Sequence, residues 1–145
     1  MTAVNLELTW SISPRTAIGF VVTPMVVNQP RSWFGNAFGD GDENVRAVSG
    51  SVLVRRYFRL NGERSRLFVE LSSGPMWAEQ RVPALTSHFN FASQAAIGLV
   101  LLPRSAMPVI VDYRFMHISN GGYAPRNPGL GVSSIMIGTV VHFER

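Results

Sequence analysis

Residues 3–12 read Ala3-Val4-Asn5-Leu6-Glu7-Leu8-Thr9-Trp10-Ser11-Ile12, with Val4, Leu6, Leu8, Trp10 and Ile12 apolar and the residues between them polar or small. Successive side chains of an extended chain point to opposite sides, so this period of two predicts a β-strand with one apolar face. After Ser13-Pro14-Arg15 a second run places Ile18, Phe20, Val22 and Val26 on one side and Ala17, Gly19, Val21 and Thr23 on the other. Further segments at about 45–58, 66–77, 87–101, 107–119 and 130–144, bounded by Gly, Pro, Asn or Ser clusters, read the same way and bring the count to about seven strands. In 66–77 the apolar set is Leu67, Val69 and Leu71; in 87–101 it is Phe89, Phe91, Ala95, Ile97 and Leu99. The opposite set is persistently small or polar.

Strand length separates the architectures. Soluble strands average about five or six residues, whereas strands that cross a membrane run to about 9–11 and tilt. The connections also alternate, short at 13–15, 59–65 and 102–106 and longer at 28–44, 78–86 and 120–129, as tight periplasmic turns and extended outer loops would. A lipocalin-like soluble barrel would carry charge on its outside, yet only 15% of the chain is charged. The expectation is an all-β fold, an antiparallel up-and-down transmembrane β-barrel forming one domain over 1–145. Its apolar residues face out, and Asn90, Gln94, Asp112 and Arg114 face the lumen. Seven strands, with Met1 at the loop-rich end, are one short of the even number usual in bacterial single-chain barrels, so an amino-terminal strand is expected to be missing.

Composition excludes several functions. No apolar run approaches the roughly 18 residues of a spanning helix, and the amino terminus has neither the basic nor the unbroken apolar region of a signal peptide. The chain has no cysteine, so disulfides, thiolate metal sites and a Cys nucleophile are excluded. All 13 basic residues are arginine, spread along the chain with a net charge of +4. That suits phosphate-bearing partners, but no basic run is interleaved with stacking aromatics, so no nucleic acid is expected. His88, His117 and His142 lack metal-site spacing, and Gly39-Asp-Gly-Asp-Glu43 lacks the ligand set of a calcium loop and reads as a solvated loop. No metal or other cofactor is expected.

The remaining segment is Arg114-Phe-Met-His-Ile-Ser-Asn-Gly-Gly-Tyr123, followed by Ala-Pro-Arg-Asn-Pro-Gly129. Residues two apart on a strand share a face with Cα atoms about 6.6 Å apart, so His117 and Ser119 can act as base beside nucleophile. Parity puts both on the apolar face with Val111, Tyr113 and Phe115, where polar groups are costly unless functional. They also stand where the strand enters the long 120–129 loop, which topology assigns to the outer leaflet.

The chain resembles the lipid A 3-O-deacylases, the PagL-type esterases of the Gram-negative outer membrane. His117-Ile-Ser-Asn-Gly-Gly is similar to that family's His-x-Ser-Asn-small-Gly, and Asn127-Pro-Gly129 to its downstream Asn-x-Gly. His88-Phe-Asn-Phe91 and Leu67-Phe-Val-Glu70 resemble earlier strand openings, and the likeness covers most of the chain from about residue 46. It implies an eight-stranded barrel in the outer membrane that hydrolyses the ester-linked 3-O-acyl chain of lipid A without a metal, with lipopolysaccharide as partner and self-association left open. Ser119 would attack the ester and His117 would take its proton. Backbone amides at Asn120, Gly121 and Gly122, or the Asn120 or Asn127 side chain, would hold the oxyanion. One departure stands out. The family's catalytic Glu, early on the last strand, is replaced by Gly131. A triad without its acid can lose about 10⁴ in rate, so an impaired, structural or lipid-binding barrel of the same family is the alternative. Asn127, Ser133 or water is the expected substitute for orienting His117.

Overall fold

The computed structural model describes residues 1–28, 44–60, 65–83, 86–105 and 107–139. The acidic stretch 39–43, His142 and Glu144 lie outside the described residues. The strands are β1 (Thr2–Ala3), β2 (Leu6–Ser13), β3 (Thr16–Asn28), β4 (Asn44–Arg59), β5 (Ser65–Ala78), β6 (Phe89–Leu101), β7 (Val109–Ser119) and β8 (Leu130–Thr139). All pairings are antiparallel between sequence neighbours, β1 and β2 both lying along β3, so the sheet is an up-and-down meander. From β3 to β8 the strands run 10 to 16 residues, the length expected for a membrane barrel.

The first expected strand is present but interrupted. Thr2 pairs with Val26 and Leu6 with Val22 in one unbroken register, so β1 and β2 form a single stave. The break falls opposite Pro24, which accepts a hydrogen bond from the Val4 amide on its carbonyl (3.1 Å) but has no N–H to return. Counted as staves, the sheet formed by the described residues has the expected seven, and Thr2 beside Val26 puts the amino terminus at the end of the long connections.

The parity expectation holds. Asn90, Gln94, Asp112 and Arg114 are buried inside, while Phe89, Ile97, Tyr113, Ile135 and Ile137 are exposed outside; Phe91, Leu99 and Val111 share that outer face, half-buried. The outside is an almost continuous apolar belt, with Leu71 67% and Val52 56% exposed.

The inside is layered in a way that alternation alone does not reveal. At mid-height Arg55 donates through Nε to Glu70 Oε2 (2.7 Å) and through Nη2 to Glu70 and to Glu7 Oε2 (2.6 Å). Arg114 lies 2.9 Å from Glu70 Oε1, 3.2 Å from Asp112 and 3.8 Å from Glu7. The Arg55 guanidinium also rests on the Phe68 ring, 4.7 Å from its centroid. Phe68 can lie there because Gly98 has no Cβ, which would otherwise sit 2.7 Å from the ring. Above this network, toward the loop end, the lumen is closed by an apolar plug that includes Met25, Val27, Val45, Met76, Met116 and Ile118, with Met1 and Leu130 packed on it.

β2 and β8 are the free edges, and among the described residues they make no contact with each other. Seven antiparallel staves leave these two strands running in the same direction, so an antiparallel ladder cannot close between them. A cavity of about 1430 Å³ opens along this gap, lined by Glu7, Asp112, Arg55 and Met136 among others. Glu7 is the group that reaches across it.

Removing one partner from a buried ion pair leaves a charge that nothing compensates. Glu70→Gln is therefore expected to cost about 3–5 kcal/mol in equilibrium urea unfolding of the lipid-refolded protein. Glu7→Gln, at a position 19% exposed and with Glu70 still between the two arginines, should cost less, under about 2 kcal/mol. Equal losses would show that the network is not centred on Glu70.

Candidate functional site

The parity set by Arg114 runs on up β7. Phe115 points out, Met116 in, His117 out, Ile118 in and Ser119 out, and Asn120 continues the inward series just past the strand end. His117 is exposed and Ser119 half-buried. Across the sheet, His117 is the register partner of Ser93 on β6 and of Gly131 on β8, and Ser119 pairs with Phe91. The two residues expected to form a base and nucleophile are thus neighbours on one outward face at the loop end. The imidazole is not hydrogen-bonded to the Ser119 hydroxyl here. It leans instead onto Gly129, where a Cβ would stand 2.7 Å from His117 Cε1.

Gly129 belongs to the loop that caps the site, and three hydrogen bonds close that loop from inside. The Asn120 amide donates to Asn127 Oδ1 (3.0 Å), Asn120 Nδ2 donates to the Arg126 carbonyl (2.7 Å), and the Gly122 amide donates to Asn120 Oδ1 (2.8 Å). Gly121, Gly122 and Gly129 all have positive φ, between 63° and 86°, the region glycine adopts without steric cost. The Asn120 side chain is fully buried. The four residues expected to supply oxyanion contacts are therefore together, but Asn120 and Asn127 act here as a clasp, with their side-chain oxygens accepting from the backbone.

Aromatic rings wall the site. Phe91 stands edge-on to Phe89 with centroids 5.6 Å apart and lies 6.2 Å from Tyr123, and the Phe115 ring covers Gly131 at 3.2 Å from where a Cβ would be. Ser133 accepts a hydrogen bond from the Tyr113 hydroxyl (2.8 Å), and Asn127 is held by the clasp. Neither expected substitute for the acid is engaged with His117. Glu70 and Asp112 are buried on the opposite face, and among the described residues no carboxylate stands beside the imidazole. Sequence reasoning did not single out Ser93, which shares a 2.9 Å hydroxyl pair with Ser73 and extends the polar patch away from His117. Its outward parity was legible, but its place opposite His117 depends on register. His88, singled out as a strand opening, sits in the β5–β6 connection with Nδ1 3.1 Å from the Ala78 carbonyl, a backbone tie.

The model of one protein family, lipid A 3-O-deacylase (PagL), matches residues 6–140. Neither a curated protein nor a solved structure matches the chain.

The packing of the imidazole on Gly129 gives a measurable contrast. Gly129→Ala would drive a methyl into the His117 ring and should shift its side-chain resonances in the NMR spectrum of ¹⁵N-histidine-labelled protein. Gly122→Ala carries a similar backbone cost of about 1–2 kcal/mol for a left-handed residue, but its Cβ meets nothing within 4 Å. It should leave the ring where it is.

Proposed function

The chain belongs to the lipid A 3-O-deacylase family, and from that premise we propose that it hydrolyses the 3-O-acyl ester of lipid A in the outer leaflet of a Gram-negative outer membrane. The observation that carries this reading is the placement of His117 and Ser119 side by side on the outward face of a barrel whose exterior is mostly apolar. A base and nucleophile directed at lipid serve a substrate whose acyl chains lie along the barrel wall. Phe89, Phe91, Phe115 and Tyr123 offer those chains a surface.

In this mechanism the His117 ring swings from Gly129 toward Ser119 and takes the hydroxyl proton as Oγ attacks the ester carbonyl. The tetrahedral oxyanion is held by loop amides; Gly121 is the candidate donor, because the Asn120 and Gly122 amides are bound within the clasp. Collapse breaks the acyl C–O bond, and the imidazolium returns its proton to the departing sugar alkoxide. Water, deprotonated by His117, then releases the 3-hydroxy fatty acid from Ser119. Asn120 and Asn127 position the loop. With Gly131 where the family's acid would stand, no carboxylate among the described residues holds the imidazole once it has swung from Gly129, and turnover is correspondingly slow.

That replacement also favours a second reading, a lipid-binding barrel that has lost turnover, and one set of variants separates the two. Mass spectrometry of lipid A incubated with the refolded protein should reveal release of the 3-hydroxyacyl chain, abolished by Ser119→Ala and by His117→Asn. Gly131 is the direct neighbour of His117 with an ordinary φ, so Gly131→Glu is sterically allowed once the Phe115 ring gives a few tenths of an ångström. It should raise the rate by about tenfold to 10⁴. A parent indifferent to Ser119→Ala and a folded Gly131→Glu variant without gain would favour the non-enzymatic barrel.

A further inference from the structure

At the opposite end of the barrel, where the connections are short, Arg59 at the end of β4 and Arg66 at the start of β5 are direct register partners. Like charges directly opposite on adjacent strands repel and destabilise the pairing, with Cβ atoms about 4.5–5.5 Å apart. Arg15 joins them, because the β2–β3 turn is tied to β4 by the Tyr57 amide, which donates to the Arg15 carbonyl (2.8 Å). Arg15, Arg59 and Arg66 line one cavity of about 300 Å³ together with Pro14, Tyr57 and Phe58. The described carboxylates are Glu7, Glu70, Asp112 and Glu79. The first three are committed to the lumen network, and Glu79 follows β5 at the loop end, its amide donating to the Arg46 carbonyl (3.0 Å). Among the described residues, none neutralises the three guanidiniums.

We propose that this cavity is a binding site for a phosphate group. Three permanently charged arginines lining one small space suit a tetrahedral oxyanion, which can accept charge-assisted hydrogen bonds from planar guanidinium forks. Its binding converts the Arg59–Arg66 repulsion into a shared attraction. Phe58, on the outward side of the rim and 44% exposed, lies where the chains of a lipid would leave the headgroup, and Tyr57 closes the inner wall. The phosphate is that of a glycerophospholipid in the leaflet facing the short turns, or a free phosphate ion. The lipid source rests on the outer-membrane reading of the barrel, whereas the anion site itself does not.

The test uses the whole chain refolded in alkyl maltoside micelles. Thermal unfolding is followed with added sodium phosphate against sodium chloride at equal ionic strength, and with short-chain phosphatidylglycerol against diacylglycerol of the same chain length. At saturation the phosphate-bearing ligand should raise the melting temperature by about 5 °C over its control. Response to both ligands supports a site for the group itself, response to the lipid alone assigns it to the headgroup, and response to the ion alone assigns it to free phosphate. R59Q/R66Q should respond at least tenfold more weakly while melting no lower than the parent in chloride, because the repulsion is gone; a purely structural role for these arginines would lower that baseline. Should the double variant fail to refold, R15Q carries the test with the same tenfold weakening. No difference between either ligand and its control in the parent, or an undiminished response in the variants, overturns the proposal. Because lipid A hydrolysis plays no part in the readout, a negative result here leaves the deacylase reading untouched, and a negative activity assay leaves the phosphate site untouched.

Discussion

Arg55, Glu70, Arg114, Asp112 and Glu7 meet inside the sheet, and the rest of the structure depends on their being inside together. Buried charges are tolerated only when paired, and these come from four different strands. Side chains alternate, so a slip of one residue in any of those strands would send its charge outward and an apolar residue into the lumen. The network therefore fixes the parity of the sheet. Given Arg114 inside, His117 and Ser119 must be outside, three and five residues along the same strand. The geometry of the site is thus set from the barrel interior, by groups that never touch a substrate.

Much of this was legible in the sequence because period two survives in every strand. Outward Leu6, Leu8 and Trp10 against inward Glu7 and Thr9 gave the faces, and short against long connections gave the ends. What parity does not carry is register, which joins residues distant in sequence through turn geometry. That is why the apolar plug went unread: Met25, Val45, Met76 and Met116 lie on four strands, distant in sequence, and become one cluster only when the ladders align. The break between β1 and β2 was readable in principle from Pro24, a residue without a donor in the middle of a strand pattern.

The site shows the same division. His117 and Ser119 were legible as a pair because they lie on one strand two residues apart. Asn120 was expected near a reacting oxygen, yet it turns inward and spends its side chain on the Arg126 carbonyl and the Gly122 amide. Extending the alternation by one residue beyond Ser119 would have assigned it there. The contact between the His117 ring and Gly129 had no local signal, because it needs the loop to return and β8 to align with β7. The expectation that Gly131 stands where the family's acid would be came from the resemblance in sequence, but the Phe115 ring lying over that glycine required the structure.

The central claim is that Ser119 is a nucleophile activated by His117 and presented to lipid. The most direct measurement is intact-mass and peptide mapping of the bilayer-inserted protein after exposure to a long-chain alkyl fluorophosphonate, which is retained only by an activated serine. The account predicts a single adduct on Ser119 that disappears in His117→Asn. An inserted, folded barrel whose Ser119 remains unlabelled, or is labelled equally without His117, would contradict it.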